Sequence, residues 1–337
     1  MKKILLFGLP TLVTLLVLLP TGNCLPLFSA KGYSASEYQL HPGHVITVDD
    51  DGDGNYTSIK EAVNHASAGD VIEVYSGTYN EYNISITTPD ITLQGIPYEL
   101  GNGNSTGKPF IKGKGLDNVI VIWADGVIVS GFHIENYGNG LVTTLCIATG
   151  NHCVVSDNYL TNALLGYYIT CGNCSNCSIL NNTVSGYEND YPGIGVGFPS
   201  SYITISGNVI TGTFTGIQLW DSPHNIVTRN TIRKCGYAVG ILNGDNNTVS
   251  LNNLENNSVG IDASGNNIII THNNFINNKK QATFSIPLID WHNYRYIKWI
   301  GNYWNHTRIL PQFIFGQSWI LPWFNIDWRP ALKPFDI

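Results

Sequence analysis

Eight segments of the chain share one short phrase, and seven of them carry an asparagine at its centre. VVSDNYL, SILNNTV, TISGNVI, IVTRNTI, TVSLNNL and IITHNNF hold Asn158, Asn182, Asn208, Asn230, Asn252 and Asn273, at spacings of 24, 26, 22, 22 and 21 residues. Phe132 in VSGFHI takes the same slot one repeat earlier, and Asn302 in WIGNYW takes it 29 residues after Asn273. A period of this size is met by a leucine-rich horseshoe or by a β-solenoid, and the content of each repeat separates them. No repeat has a stretch of helical spacing. Each has short alternating apolar runs, as in SYITISGNVITGTFTGIQLW, where Ile203, Ile205, Val209, Ile217 and Leu219 are predicted to point inward. That pattern is one coil of three strands. A second phrase follows the asparagine, as TGIQL at 215–219, YAVGI at 237–241 and VGID at 259–262.

Stacked coils rise roughly 4.8 Å each, so matching residues lie one above another. The six asparagines are therefore expected to form a hydrogen-bonded ladder, with architecture as their role.

The chain opens on Met1-Lys2-Lys3 and an apolar run from Ile4 to Leu19, the pattern of a secretory leader, too short for an ordinary membrane span. Residues 1–30 are read as a signal peptide or a retained N-terminal anchor, and the protein as secreted or held at the cell surface. Cys24 would allow a lipid anchor, though Asn23 before it fits that signal poorly. Charged residues make up 12% of the chain and the net charge is −7, which excludes a phosphate-tracking basic groove and with it nucleic acid as a partner. Nine Asn-x-Ser/Thr sequons fit a glycosylated exterior.

Cys153 and Cys177 each stand five residues before a ladder asparagine, so they should stack on adjacent coils within disulfide reach. A disulfide between them is expected; metal binding by Cys171, Cys174 and Cys177 with a ligand such as His152 is the alternative.

A solenoid must cover its two ends. Ser58-Ile-Lys-Glu61 is a capping box, and Ile59, Ala62, Val63 and Ala66 form one apolar stripe, so a helix over 58–67 should plug the start of a solenoid spanning 45–305. Just before it, Asp49, Asp51, Asp53 and Gly54 match the first half of a calcium loop, but Lys60 stands where the closing carboxylate belongs. No cofactor is otherwise indicated. Residues 306–337 are read as a C-terminal cap rich in aromatic side chains, which seal a core or stack on sugars equally well.

The run VDDDGDGNYTSIKEAVNHASAGDVIEVYSGTYNE, the N-x-I and G-I-x-L phrases and the final GNYW together resemble secreted right-handed parallel β-helix proteins of the pectin-lyase-like superfamily. The similarity is greatest to the archaeal surface group with NosD-like repeats and covers about residues 45–305. The resemblance implies an all-β, single-stranded right-handed parallel β-helix of about eight to ten coils. It leaves function open, because the superfamily holds polysaccharide lyases, hydrolases, esterases, epimerases, copper-site maturation proteins and surface proteins without chemistry.

Carboxylate catalysis on sugars needs two acids within about 5–10 Å, hence on the same or adjacent coils. The G-I-x-L strand offers the best cluster: Tyr168, Gln218, Trp220, Asp221 and Asp262 are expected on one outward face, Asp221 and Asp262 two coils apart. They are the candidate glycan contacts, with Asp221 and Asp262 as weak catalytic candidates. A copper role would call for Met, His and free Cys together, yet the chain has one methionine and scattered histidines. The leading expectation is a secreted or cell-surface β-helix that binds a polysaccharide or cell-envelope glycan, or is structural, without catalysis; a carbohydrate-active enzyme (polysaccharide lyase, hydrolase or epimerase) is the alternative, and a copper-site maturation accessory protein a weaker one.

Overall fold

The computed structural model describes residues 43–101, 103–114, 117–137, 143–163, 166–189, 191–286, 297–318 and 321–337. The expected leader and anchor over 1–30, Cys24, Trp291, His292 and Trp319 lie outside the described residues. No described helix is long and apolar enough to cross a membrane.

The described chain is a parallel β-helix, as the repeat predicts. Each coil contributes one strand to each of three sheets. Sheet A has 11 strands, from Val45–Val48 to Lys298–Ile300; sheet B has 10, from Thr78–Tyr79 to Tyr303–Trp304; sheet C has 11, from Ile84–Ile86 to Leu321–Asp327. Pairing is parallel and in register from coil to coil until the last two strands of sheet C, Gln312–Ser318 and Leu321–Asp327, which form an antiparallel hairpin.

Register is what builds the core. Ile84, Ile120, Leu145, Ile169, Ile194, Ile217, Val239 and Ile261 fall in one column of sheet C and are all fully buried. Burying such a side chain contributes about 1.5–3 kcal/mol, and the column repeats in every coil. In the coil read above, Ile203, Ile205, Ile217 and Leu219 point inward, but Ile210 takes the place expected for Val209. The reason is the corner. Asn208 turns inward there, so the strand alternation restarts one residue later.

The corner between sheets A and B explains the repeated phrase. The residue before each ladder asparagine is left-handed: φ is 57° at Asp157, 53° at Asn181, 56° at Arg229, 54° at Leu251 and 54° at His272. The asparagine that follows is buried and bonded on both sides. Asn158 N, Asn182 N, Asn208 N, Asn230 N and Asn252 N donate to the Oδ1 of the next asparagine up the stack at 3.1, 2.8, 2.9, 2.9 and 3.0 Å. Asn273 N donates to Asn302 Oδ1 at 3.0 Å, and at the lower end Phe132 N donates to Asn158 Oδ1 at 3.0 Å. Each Nδ2 also donates to a main-chain carbonyl, as Asn230 does to Ile205 O at 2.9 Å. Two shorter ladders had no sequence phrase to announce them: Asn225 with Asn247, and Asn257 with Asn278.

The helix Ile59–His65 closes the first coil, with Ile59, Ala62 and Val63 buried beneath it. Ser58 caps it by accepting from Glu61 N at 3.2 Å, while the first two free N–H groups, of Ile59 and Lys60, donate to the Glu81 carboxylate at 2.9 and 2.8 Å. At the other end Trp299 and Trp304 are buried, Trp304 stacking on Phe275 at 4.4 Å, while Trp323 and Trp328 of the hairpin region are exposed. The final residues return along the last coil, where Asn274 Oδ1 accepts from Phe335 N at 2.8 Å.

All six described cysteines are free thiols, so the disulfide expected between Cys153 and Cys177 is absent. The two do stack on adjacent coils, next to the paired Val154 and Ser178. Each thiol instead donates to a carbonyl one coil below, Cys153 to Ala124 O at 3.3 Å and Cys177 to Gly150 O at 3.2 Å.

Candidate functional site

Sheet C carries the concavities of interest. Two outward columns run along it. One reads Val121, Cys146, Thr170, Gly195, Gln218, Gly240, Asp262 and Thr283; the other, two residues on, reads Trp123, Ala148, Gly172, Gly197, Trp220 and Leu242. Trp123 and Trp220 therefore stand in one column with only Ala148, Gly172 and Gly197 between them. Four coil rises separate them, roughly 19 Å. The result is a trough with a tryptophan at each end, Trp123 49% and Trp220 53% exposed.

Within it lies a notch of about 180 Å³ lined by Cys146, Tyr167, Thr170, Gly195, Gln218 and Trp220, among others. Tyr167 forms the side wall and lies across Gly195: a Cβ there would sit 2.7 Å from Tyr167 Cε1, so only glycine lets the ring down. Beyond Gln218 a second notch of about 190 Å³ opens over Gly240, walled by Phe214 and Tyr237 and bordered by Asp262. Burial pushes the Asp262 carboxyl above its ordinary range, partly offset by Lys280.

The structure divides the residues that the sequence suggested for this face. Gln218, Trp220 and Asp262 line it. Tyr168 does not: it is fully buried at the corner leading into the strand, where consecutive residues Tyr168 and Ile169 both turn inward, and its neighbour Tyr167 takes the outward place. Asp221 lies past the end of the strand in a left-handed turn with φ 47°, beside Asn243 on the next coil with φ 54°. It stands two coil rises and three strand residues from Asp262, about 14 Å away, which is too far for a pair of carboxylates acting on one bond. Trp123 and Tyr167 escaped sequence reasoning for different reasons. Trp123 lies outside any G-I-x-L phrase, and strand alternation favours Tyr168 over Tyr167 for the outward place.

Another cluster stands on the outer face of sheet B. Phe110, His133 and Tyr159 stack at 4.5 and 4.8 Å, and His133 Nε2 approaches Glu135 Oε1 to 3.3 Å, while burial holds the His133 imidazole below its ordinary range and so disfavours its charged form. Thr161 Oγ1 donates to the same Glu135 oxygen at 2.8 Å, while Glu135 Oε2 is buried without a hydrogen-bond partner.

At the N-terminal end, the turn after the first strand gathers acids. One ligating oxygen from each of Asp49, Asp51 and Asp53 lies within 4.8 Å of the others, and the same holds for Asp49, Asp50 and Glu99. Glu99, from the loop after Thr92–Gly95, and Asp50 were not visible as partners in the sequence. Asp49 is fully buried and its Oδ1 has no hydrogen-bond partner. Burial, followed by the facing carboxyls of Asp51 and Glu99, pushes the Asp49 carboxyl up to about 7.

A family model described as periplasmic copper-binding protein (NosD) matches residues 101–308. No curated protein matches the chain. Among solved structures it is similar to XylC in complex with xylose, at 12% identity over 81% of this chain and 71% of that one, with a TM-score of 0.55. It is also similar to the A-module of the Azotobacter vinelandii mannuronan C-5 epimerase AlgE6, at 14% over 77% and 81%, TM-score 0.52. A third is the family 28 exopolygalacturonase of Yersinia enterocolitica, at 11% over 82% and 65%, TM-score 0.56. At such identities the likeness is one of fold, the pectin-lyase-like β-helix.

Copper favours sulfur and imidazole donors. Among the described residues no three such donors converge on one point, and the groups that do converge are carboxylates. Hydrogen bonding to Cys177, then burial, raises Cys153; Cys174 is likewise raised, first by Cys171, which keeps these thiols protonated. The described residues do not fit a copper centre.

Proposed function

The chain belongs to the NosD family, and on that premise we propose that it works outside the cytoplasm as a glycan-binding β-helix without chemistry of its own. The trough between Trp123 and Trp220 carries this reading. Aromatic rings at both ends offer flat apolar faces for sugar rings, and the small residues between them let a chain lie close to the backbone. Gln218 supplies an amide that both donates and accepts, and Asp262 an acceptor at the next notch. The two notches are two coils apart, about 10 Å, which suits subsites of one extended polysaccharide running along the stack.

Binding is favoured over catalysis because the residues lining the first notch include no carboxylate or histidine, and among the described residues Asp262 is the one carboxylate lining the second. The basic start and apolar run Ile4–Leu19 and the family's periplasmic description support export.

The test is a panel of neutral and acidic polysaccharides on which retention and newly formed reducing or unsaturated ends are recorded together. Retention without new ends, weakened about tenfold by Trp220→Ala and by Trp123→Ala, is the expected result. New ends that disappear in Asp262→Asn would replace this reading with that of a carbohydrate-active enzyme, and retention unaffected by either tryptophan would move the site elsewhere.

A further inference from the structure

The acids at the first coil converge in a way that the glycan trough does not use. Asp49 is the shared member of both triads, central to them and fully buried, with Oδ1 lacking a partner. Its Oδ2 accepts from Asp53 N at 3.2 Å, which closes the turn and aims the side chain into the cluster. Glu99 is brought in from a different coil and held in place by its own loop, Oε2 accepting from Ser105 N at 2.8 Å. Asp50 Oδ2 accepts from Thr78 N at 2.9 Å, so its carboxylate is also fixed. Gly101 of the Glu99 loop packs so tightly on this turn that a Cβ would come within 1.7 Å of Asp53 Oδ2. Asp49, Asp50, Asp51 and Glu99 form no ion pair with a lysine, arginine or histidine among the described residues.

Asp49, Asp50, Asp51 and Glu99, packed closely with no basic side chain paired to them among the described residues, repel one another, and a buried oxygen without a donor is otherwise rare. A cation resolves both problems. The donors are all hard oxygens from short and long acids, more numerous than the one or two carboxylates with which magnesium is usually held, and calcium accepts six to eight such ligands in flexible geometry.

We propose that Asp49, Asp50 and Glu99, with Asp51 and Asp53 gathered on the same Asp49, hold a calcium ion that fastens the loop carrying Glu99 to the turn before the capping helix. The sequence contains half a calcium loop and lacks its closing acid; Glu99 supplies that acid through space, where Lys60 fails to in sequence. The site belongs to the N-terminal end of the solenoid and is independent of the trough on sheet C.

The experiment uses the whole chain stripped with chelator and titrated with calcium or magnesium by calorimetry, with melting followed in parallel. Terbium provides another readout, since Tyr75 and Tyr98, edge to face at 5.9 Å beside the acids, can sensitise its emission. Expected are one calcium ion per chain, little heat from magnesium, a melting point that rises with calcium, and terbium emission displaced by calcium. Glu99→Gln should weaken calcium about tenfold or more while leaving the fold intact. Absence of calcium heat and of terbium emission from the wild-type chain would overturn the proposal, as would unchanged affinity in Glu99→Gln. Should Asp49→Asn fail to fold, the Glu99→Gln comparison still decides the matter.

Discussion

The Asp327 carboxylate caps the asparagine ladder at Asn302. Its Oδ2 accepts from Asn302 N at 2.9 Å, from Asn302 Nδ2 at 3.3 Å and from Trp304 Nε1 at 3.1 Å, and its Oδ1 accepts from Gly301 N at 3.0 Å. A ladder in which every amide leans on the next must end on a group rich in acceptors, and a carboxylate with its two oxygens is such a group. Asp327 comes from the terminal hairpin, so the cap and the ladder are joined chemically as well as by packing.

Asp327→Ala should therefore destabilise the C-terminal coils more than the rest. Each buried donor left without a partner costs about 1–3 kcal/mol, and at least three are exposed to that loss. Hydrogen exchange should show lost protection in residues 297–327 before any change near Asn158, because coils of a solenoid lean mainly on their neighbours. Equal protection in variant and wild type would show that the cap does not depend on this carboxylate.

In mid-ladder, Asn230 accepts from Asn208 N and Nδ2 at 2.9 Å and donates to Ile205 O, Thr228 O and Asn252 Oδ1. Asn230→Ala should cost about 3 kcal/mol or more in chemical denaturation. A loss under about 1 kcal/mol would mean that the ladder is ornamental to stability.

Leu251 sits in the left-handed corner with φ 54°, where a branched apolar residue is strained by about 1–2 kcal/mol. Asparagine, which occupies that corner at position 181, tolerates this conformation. Leu251→Asn should raise the denaturant midpoint with an unchanged slope, by about 0.5–1 kcal/mol of stability.

Thiol reactivity reports on both burial and the trough. Cys146 is the only partly exposed cysteine among the six described, and burial raises its thiol as well, so it should alkylate slowly, and the other five only on unfolding. Because Cys146 lines the trough, a bound glycan should protect it further. Alkylation of Cys146 at the same rate with saturating glycan would move the binding site off this face.

For Asp262 the folded-state pKa lies above the unfolded one, so the folded chain holds the proton more tightly. Its contribution to stability is complete below the unfolded value and is lost as pH rises through the raised folded value. Asp262→Asn should accordingly raise the melting point at pH 8 relative to wild type and narrow the difference between pH 4 and pH 8. An unchanged pH profile would mean that Asp262 is solvated like an ordinary surface acid.

The solenoid, its ladder and its capping helix were legible in the sequence because each follows from a local repeat: stacking in register turns a phrase recurring every 21 to 26 residues into a column. Side-chain direction was legible inside strands and failed at corners, where Asn208 and Tyr168 turn inward out of alternation; hence Ile210 for Val209, and Tyr167 for Tyr168. What only the tertiary structure decided depends on residues from different coils. Trp123 and Trp220 become the two ends of one trough across three coils of small residues, and Glu99 joins Asp49 and Asp50 from a loop some 49 positions beyond the latter. Neither relation has a period or spacing of its own, since both arise from the rise of the stack and the path of one loop.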